Sequence, residues 1–473
     1  MNGLLPSLGG VALFLAAGLG LSELVPAVRT LPWPRRLAWA YLLGLAGLAG
    51  ALYALSHFYE VPLRRPAILA TAAALALAGL AVRLLRGKSF TSLRSLTSFS
   101  SPWPRAAVAL LAFLCLGLLA EAVTDPVIGW DARMTWTAQA FWIQDAGTVD
   151  AEVLQRKNLY VTHPEYPLLL PVAQAVVLET FAVPRDVHAF RTLHAACFAA
   201  FLLLLWDGAS RWAGRLPALL AVLAAAGVPA LTFDEDTGAA SGYNDLPLAC
   251  FYGAGLLLLL RSRRRFADSL AAGLLLAGAV LTKNEGSLLA FFALAAAALP
   301  LLARRDRGRQ ILRLGAAALL AVLALGLLAS WRAGIPNRQD ERYSYLLETR
   351  DLWPEVVTRA PFMAGLALRQ TYRFQHWTLF WIAVPAVFWA GRRGWRGRRK
   401  ALALALAAGA LAPLLIAWGA YSIHPNPGAL IPVTWSRFLI QGSLPTFLLL
   451  AVALNNILKR HQVGARLARE RGP

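Results

Sequence analysis

The stretch Thr124–Leu170, TDPVIGWDARMTWTAQAFWIQDAGTVDAEVLQRKNLYVTHPEYPLLL, is the first long polar segment of an otherwise apolar chain. On both sides of it the sequence runs in apolar stretches of about 18–22 residues, the length at which a helix crosses a bilayer. The stretch is therefore predicted to be a long loop outside the membrane, and it divides the apolar segments into an earlier and a later set.

The composition excludes a water-soluble globule. The 473 residues are 58% hydrophobic and 15% charged, with a mean hydropathy of +0.54, whereas soluble domains carry roughly 25% charged residues. We expect an all-α polytopic membrane protein of about 13 spans, three in residues 1–104 and ten in residues 105–473. The first span is expected to be retained, since no basic leader or clear cleavage site accompanies it. The predicted spans lie near residues 4–25, 36–55, 67–86, 105–123, 188–206, 215–231, 245–260, 267–282, 286–303, 311–331, 376–391, 401–420 and 438–457.

The net charge of +21 indicates membrane topology rather than nucleic-acid binding. Lys and Arg collect in short clusters between the spans, for example at Arg261–Arg265 and Arg392–Lys400, as in cytoplasmic loops facing anionic lipids. We expect a multi-pass protein of a bacterial inner (cell) membrane, with its N-terminus outside and its C-terminus in the cytoplasm. This topology requires that the apolar piece Leu168–Val183 does not cross, so it is predicted to lie in the interface as an interfacial helix.

The same topology places the long polar loops on the outer face: residues 124–187, 232–244 and 333–375. Asp131 follows directly on a predicted span, and an ionisable group at the hydrocarbon boundary is costly unless it has a partner or a function. The alternative is that Asp131 caps a helix over Met134–Ile143. Cys115, Cys197 and Cys250 lie in or beside apolar segments without metal-like spacing, which argues against a disulfide framework or a zinc site.

Two further polar motifs lie in the outer loops. His163-Pro164-Glu165-Tyr166-Pro167 is a proline-bounded turn that fixes the directions of His163 and Glu165, with a purely structural turn as the alternative. Tyr243-Asn244-Asp245 leads into a span. Acidic residues of this loop would suit a divalent cation, although a solvated acidic loop with Asp245 as helix cap explains them equally.

Cations on the outer face run against the positive-inside bias, which suggests an anionic partner such as a phosphate. Lys283 lies in the short connection Thr282-Lys283-Asn284-Glu285-Gly286, where Glu285 could simply neutralise it. Arg437 lies at the mouth of the last span and offers a planar fork matched to phosphate oxygens. Further phosphate-binding candidates, both in the loop 333–375, are Arg342 and Tyr345.

Taken in order, these motifs resemble those of the GT-C glycosyltransferases, in particular the protein O-mannosyltransferase and aminoarabinose (lipid A) transferase branch. The resemblance covers roughly Arg105–Arg460. It implies an inverting enzyme that moves a sugar from a polyprenyl-phosphate donor to a lipid, glycan or protein acceptor outside the membrane. Asp131 would be the base, Asp245 the acidic residue after the tyrosine, and Lys283 and Arg437 the groups facing the lipid phosphate.

Two departures from the family pattern leave metal use and the role of His163 open. Ala132 stands where many members carry a second acidic residue, and the usual His-Pro-Pro-Leu is stretched to His163-Pro164-Glu165-Tyr166-Pro167-Leu168. The rival function is a transporter or flippase of a lipid-linked or anionic substrate, which would place ionisable residues on broken helices near the midplane. A non-catalytic scaffold is the third alternative. The gathering of ionisable groups at one surface favours the enzyme.

Overall fold

The structure, a computed structural model, describes residues 3–86, 102–261, 265–301, 307–335 and 352–470. These residues are helical with no strand, so the predicted all-α class is confirmed. We number the helices in chain order: α1 Leu4–Leu24, α2 Trp33–Tyr59, α3 Arg65–Leu85, α4 Pro102–Thr124, α5 Ala138–Ala146, α6 Leu169–Phe181, α7 Thr192–Trp212, α8 Arg215–Ala226, α9 Asp245–Arg261, α10 Phe266–Val280, α11 Glu285–Ala298, α12 Arg307–Arg332, α13 Leu352–Thr371, α14 Phe380–Gly391, α15 Gly397–Ile423, α16 Pro427–Gln441 and α17 Ser443–Glu470.

Seven helices in the described residues are long and apolar enough to cross a membrane. An eighth span results if α16 and α17 count as one, since they meet at a 55° bend. Several other apolar helices, including α8, α10 and α11, have fewer than 18 residues. The protein therefore has the helices of a membrane protein, while the count of about 13 spans is not confirmed.

Glycines allow α1 to lie in close contact with two neighbours. A Cβ on Gly18 would lie 1.6 Å from the Ala40 carbonyl oxygen of α2, and one on Gly20 would lie 2.2 Å from the Leu75 carbonyl oxygen of α3. Small residues at such crossings let helix backbones approach in membrane proteins, where packing rather than the hydrophobic effect holds helices together. The first three helices also pack on the later ones, with the Tyr41 hydroxyl donating to the Leu193 carbonyl of α7.

Helix α6 corrects the expectation for Leu168–Val183. Eleven of its 13 residues are buried, and it packs against α1, α2, α3 and α5. An interfacial helix would present one face to lipid, so the prediction that this segment lies in the interface is wrong. The helix is instead enclosed by protein on most of its surface.

The helix bundle has two chemically different ends. At one end, Arg36 and Arg83 both pair with Glu23, at 2.7 and 3.3 Å, and Arg35 pairs with Asp207 at 3.4 Å. We call this the basic end. At the other, residues 124–187, 232–244 and 281–284 contact one another and the ends of α2, α7 and α12. We call this the loop end.

Residues 148–150 are fixed at the loop end by hydrogen bonds to α2 and α12. His57 Nδ1 lies 3.0 Å from the Asp150 carboxylate, and His57 Nε2 lies 3.0 Å from the Ser330 hydroxyl. The Trp331 indole donates to the Val149 carbonyl. Asp150, His57 and Ser330 have the order of an acid–base–nucleophile chain. Ser330, however, lies in the last turn of α12, at the negative end of the helix dipole, which would destabilise a developing oxyanion. The arrangement therefore serves as an anchor.

Candidate functional site

Asp131 and Arg437 form an ion pair at the loop end. Arg437 Nη2 donates to Asp131 Oδ2, although 306 residues separate the two in sequence. Asp131 lies at the start of a π-helical turn over Ala132–Thr137, and its carboxylate makes no capping bond there. The helix-cap alternative therefore does not explain Asp131. Its side chain is 29% exposed and that of Arg437 is 13% exposed, so the pair can be reached from outside.

Asp245 lies behind this pair and is the most buried member of the cluster. It is the first residue of α9, and its Oδ1 accepts from Lys283 Nζ and from Gln441 Nε2, each at 2.8 Å. Its Oδ2 lies 3.6 Å from Arg437 Nε. Arg437 and Gln441 are four residues apart on α16 and therefore share one face of that helix. Asp245 thus joins α9, the α10–α11 turn and α16.

Lys283 lies in the turn between α10 and α11 and is held by two carboxylates. Besides Asp245, it pairs with Glu285 at 3.6 Å. Burial acts to lower the pKa of Lys283, but the charges of Asp245 and Glu285 outweigh burial and raise this pKa above its usual value. Lys283 therefore remains a cation, directed at protein carboxylates rather than at the opening.

Tyr243 packs its ring under Arg437, whose guanidinium carbon lies 4.4 Å from the ring centroid, a cation–π contact. The Tyr243 hydroxyl accepts from the Asp131 backbone N–H and donates to Asp236 Oδ1, each at 3.4 Å. Burial, together with the charges of Asp131 and Asp236, raises the pKa of Tyr243 to about 12. Tyr243 therefore stays protonated near neutral pH and holds the Asp131 and Asp236 segments together.

The sequence around Asp131 fits this packing. A Cβ on Gly129 would lie 2.3 Å from the Tyr243 ring, so Gly129 lets the first loop lie directly against that ring. Ala132 is fully buried between Val127 and Tyr243. A carboxylate at position 132 would enter an apolar contact and require a partner, which gives a physical reason for the departure from the two-acid family pattern. Beside Asp131, Trp130 is exposed.

His163 and Glu165 lie next to the cluster rather than in it. His163 Nδ1 lies 3.7 Å from Glu165 Oε1, and the His163 ring stacks on Tyr166 at 4.5 Å. Arg332 connects this turn to the cluster, since its Nε donates to the Glu165 carbonyl at 2.8 Å and its Nη2 donates to Asn284 Oδ1. Asn284 is the neighbour of Lys283 in sequence. The turn is therefore connected to the cluster through Arg332 and Asn284.

The structure thus brings together six predicted residues: Asp131, Tyr243, Asp245, Lys283, Glu285 and Arg437. Arg342 and Tyr345 lie outside the described residues. Sequence reasoning did not single out Gln441, Arg332 or Asn284, and it weighed Asp236 only as part of an acidic loop that could bind a cation. The spacing of four residues between Arg437 and Gln441 was a usable signal for the first of these, because such pairs share a helix face.

The electrostatics of the cluster are close to balanced. Asp131, Asp245 and Glu285 supply three negative charges, while Lys283 and Arg437 supply two positive charges within salt-bridge distance of them. Arg332 adds one more positive charge through Asn284. Within the described ranges, no group of three or more His, Cys, Asp or Glu side chains is placed to hold a metal ion. An anion entering here must therefore compete with a carboxylate for a cation.

No protein-family model matches this chain, and searches of curated proteins and of solved structures found no match either.

Proposed function

We propose that the protein is an inverting membrane glycosyltransferase of the GT-C type that uses a polyprenyl-phosphate sugar donor. The acceptor hydroxyl loses its proton to the Asp131 carboxylate as its oxygen bonds to the anomeric carbon. The bond from that carbon to the phosphate oxygen breaks, and the lipid phosphate leaves with the electron pair. A positioned base of this kind contributes typically about 10²–10⁴-fold.

The observation that carries the proposal is the Asp131–Arg437 pair. It places a partly exposed carboxylate in contact with a largely buried guanidinium at one end of an apolar helix bundle. An inverting reaction needs both groups at one site but on opposite sides of the anomeric carbon, so the donor must come between Asp131 and Arg437 when it binds. Arg suits the phosphate because its planar fork donates to two oxygens at once.

Because the cluster holds little surplus positive charge, the donor phosphate displaces Asp131 from Arg437 when it binds. This exchange releases the carboxylate, so Asp131 becomes available as a base only once the donor is in place. Lys283 then acts through Asp245, which lies 2.8 Å from the lysine nitrogen and 3.6 Å from Arg437. In this proposal Lys283 positions the arginine, and Arg437 meets the phosphate directly.

The acceptor approaches from the outer side. In this proposal His163 and Glu165, which Arg332 connects to the cluster, lie on the acceptor side, and exposed Trp130 offers an aromatic face to a sugar ring. The proposed setting is the inner membrane of a bacterium with the loop end facing the periplasm, the N-terminus outside and the C-terminus cytoplasmic. The proposed topology keeps about 13 membrane helices, with the short helices α8, α10 and α11 counted among them.

The test is transfer by purified full-length protein in proteoliposomes supplied with polyprenyl-phosphate sugars and cell-envelope acceptors. Wild-type protein should yield a covalent product, and Asp131→Asn should reduce turnover by about 10²–10⁴-fold. Asp125→Asn is the matched control, since Asp125 lies in the same loop and its carboxylate accepts from the neighbouring Thr124 hydroxyl rather than from a member of the cluster. Near-normal turnover by folded Asp131→Asn would refute the assignment.

A transporter or flippase is the second candidate because α16 and α17 are bent by 55° beside the cluster, with Gln441 at the break bound to Asp245. Transporters place substrate sites at such helix breaks. In the same proteoliposomes, movement of a lipid-linked or anionic substrate across the bilayer without covalent product would favour this reading over the enzyme.

A further inference from the structure

The basic end contains a cavity that the proposed reaction does not use. It has a volume of about 260 Å³ and lies where the C-terminus of α14 meets α17. Its lining residues are Trp389, Ala390, Arg392, Arg393, Ile457, Arg460 and His461. Three arginines thus line one cavity, and its described lining includes no acidic residue. Within the described part of the chain, none of these arginines takes part in a salt bridge.

The cavity wall is held in a defined shape. A Cβ on Gly391 would lie 2.7 Å from the Ala453 Cβ, and one on Gly394 would lie 2.7 Å from the Asn456 side chain, so the turn after α14 packs directly on α17. Arg460 Nη2 donates to the Ala390 carbonyl at 2.9 Å. The Arg392 guanidinium lies 4.1 Å from the Trp389 ring centroid. Close packing and these contacts orient two of the three cations.

An apolar stripe leads out of the cavity along α14. Ile382, Ala386 and Trp389 are exposed and recur at the spacing of one helix face, and Trp389 is 63% exposed. A ligand that combined a phosphate with long acyl chains would match both parts, with the anion among the arginines and the chains along the stripe. Trp at the junction is typical of the membrane–water boundary.

We propose that this cavity binds the phosphodiester headgroup of an anionic membrane lipid at the basic end of the bundle. The chemistry shared with free phosphate is charge-assisted hydrogen bonding from Arg392, Arg393 and Arg460, and the apolar stripe along α14 selects a lipid. The site lies at the opposite end from Asp131, since α14 begins beside the His376–Asp234 pair of the loop end and ends at Gly391. It is independent of the proposed transfer reaction.

The experiment is a titration of the delipidated full-length protein with phosphatidylglycerol, with bound lipid counted by native mass spectrometry. Salt is kept at 0.3 M or above, since screening then suppresses loose attraction to exposed charges. Arg392→Gln/Arg393→Gln should weaken binding about 25-fold, about fivefold for each arginine. The matched control is Arg398→Gln/Arg399→Gln, which removes two nearby arginines that do not line the cavity and should keep wild-type binding.

Phosphatidylcholine, which is zwitterionic, should bind far more weakly, and inorganic phosphate should not displace the anionic lipid. Equal loss in the two double variants would refute the site, and full displacement by inorganic phosphate would refute its assignment to a lipid. Should the cavity double variant fail to fold, Trp389→Ala gives a second test, because it leaves all the charges in place. Unchanged lipid binding by Trp389→Ala would also contradict the proposal.

Discussion

Two ion-pair clusters lie at the two ends of α9 and differ in how far their carboxylates are buried from solvent. Asp245 begins this helix in the loop-end cluster and Arg261 ends it in the cluster at the basic end, about 24 Å apart at 1.5 Å per residue. At the basic end, Asp207 is fully buried and accepts from Arg261, from Arg35 at 3.4 Å and from the Trp39 indole at 3.1 Å. At the loop end, Asp131 remains 29% exposed beside Arg437.

The difference separates a structural cluster from a candidate site. Around Asp207, one acidic group receives several donors, and the Arg261 guanidinium also lies over the Trp39 ring at 5.3 Å. A buried carboxylate with that many partners holds helices together. At the loop end the carboxylates and cations are more evenly matched, and Asp131 is partly exposed. Of the two clusters, the loop-end cluster is therefore the one suited to exchange with an incoming anion.

Removing the carboxylate at the basic end should have the largest effect. Asp207→Ala leaves Arg261 buried without its partner, which typically costs about 3–5 kcal/mol. We expect a marked fall in stability, measured by thermal or SDS-induced unfolding of the purified protein. Asp131→Ala is the comparison variant and should lose less stability, because Arg437 keeps Asp245 as a partner at 3.6 Å. Equal losses of stability in the two variants would contradict the distinction between a structural cluster and a candidate site.

Removing Arg437, the cation that pairs with Asp131 at the loop end, should reduce activity without unfolding the protein. If the proposed transfer is correct, Arg437→Gln loses a preorganised contact to the leaving phosphate, which costs about 10²–10³-fold in turnover. Single-turnover transfer assays measure this, with Arg373→Gln as an exposed control at the same end of the molecule. A rate for Arg437→Gln matching the control would remove Arg437 from the site.

A hydrogen bond to the buried carboxylate should matter less than either charge. Gln441→Leu removes one donor from Asp245, and hydrogen bonds to charged groups contribute about 1.5–3 kcal/mol. The expected result is a moderate loss of stability by the same unfolding assay. Trp39→Phe removes the corresponding donor from Asp207 and should give a loss of similar size. No loss in either variant would mean that these donors are dispensable.

The smallest effect on stability is expected when Asp207 and Arg261 at the basic end are replaced together. Asp207→Leu/Arg261→Met substitutes apolar side chains for both charges, and such replacements of buried pairs are often neutral or stabilising. Arg35 can remain solvated, since its side chain is 26% exposed. The double variant should therefore unfold much closer to wild type than Asp207→Ala, with the remaining loss coming from the Trp39 indole, which loses its acceptor. A double variant as unstable as Asp207→Ala would show that apolar side chains cannot replace the Asp207–Arg261 ion pair.

The sequence predicted the membrane class and most members of the loop-end cluster, because each of them lies beside the end of an apolar segment. Asp131, Lys283 and Arg437 drew attention as ionisable groups at that boundary. It did not predict that Arg437 binds Asp131, since pairing across 306 residues leaves no local pattern. The Asp207 cluster was missed for the same reason: its partners lie 172 and 54 residues away.

The error over Leu168–Val183 has a different physical cause. A short apolar helix has the same composition whether it lies on lipid or inside protein, and charge counting decides only whether it crosses. Gln174 and Glu179 suggested an interface, yet Gln174 is almost fully buried and Glu179 pairs with Arg64 at 3.3 Å. Whether such a helix lies on lipid or inside protein depends on which helices surround it, and that is set by tertiary packing.

Enclosure of α6 has a consequence for biogenesis. The segment contacts α1, α2 and α3, which precede it in the chain, while its Leu169 backbone N–H donates to the carbonyl of Leu281, a residue synthesised more than a hundred positions later. Its final set of contacts is therefore complete only after the chain has been synthesised beyond Leu281.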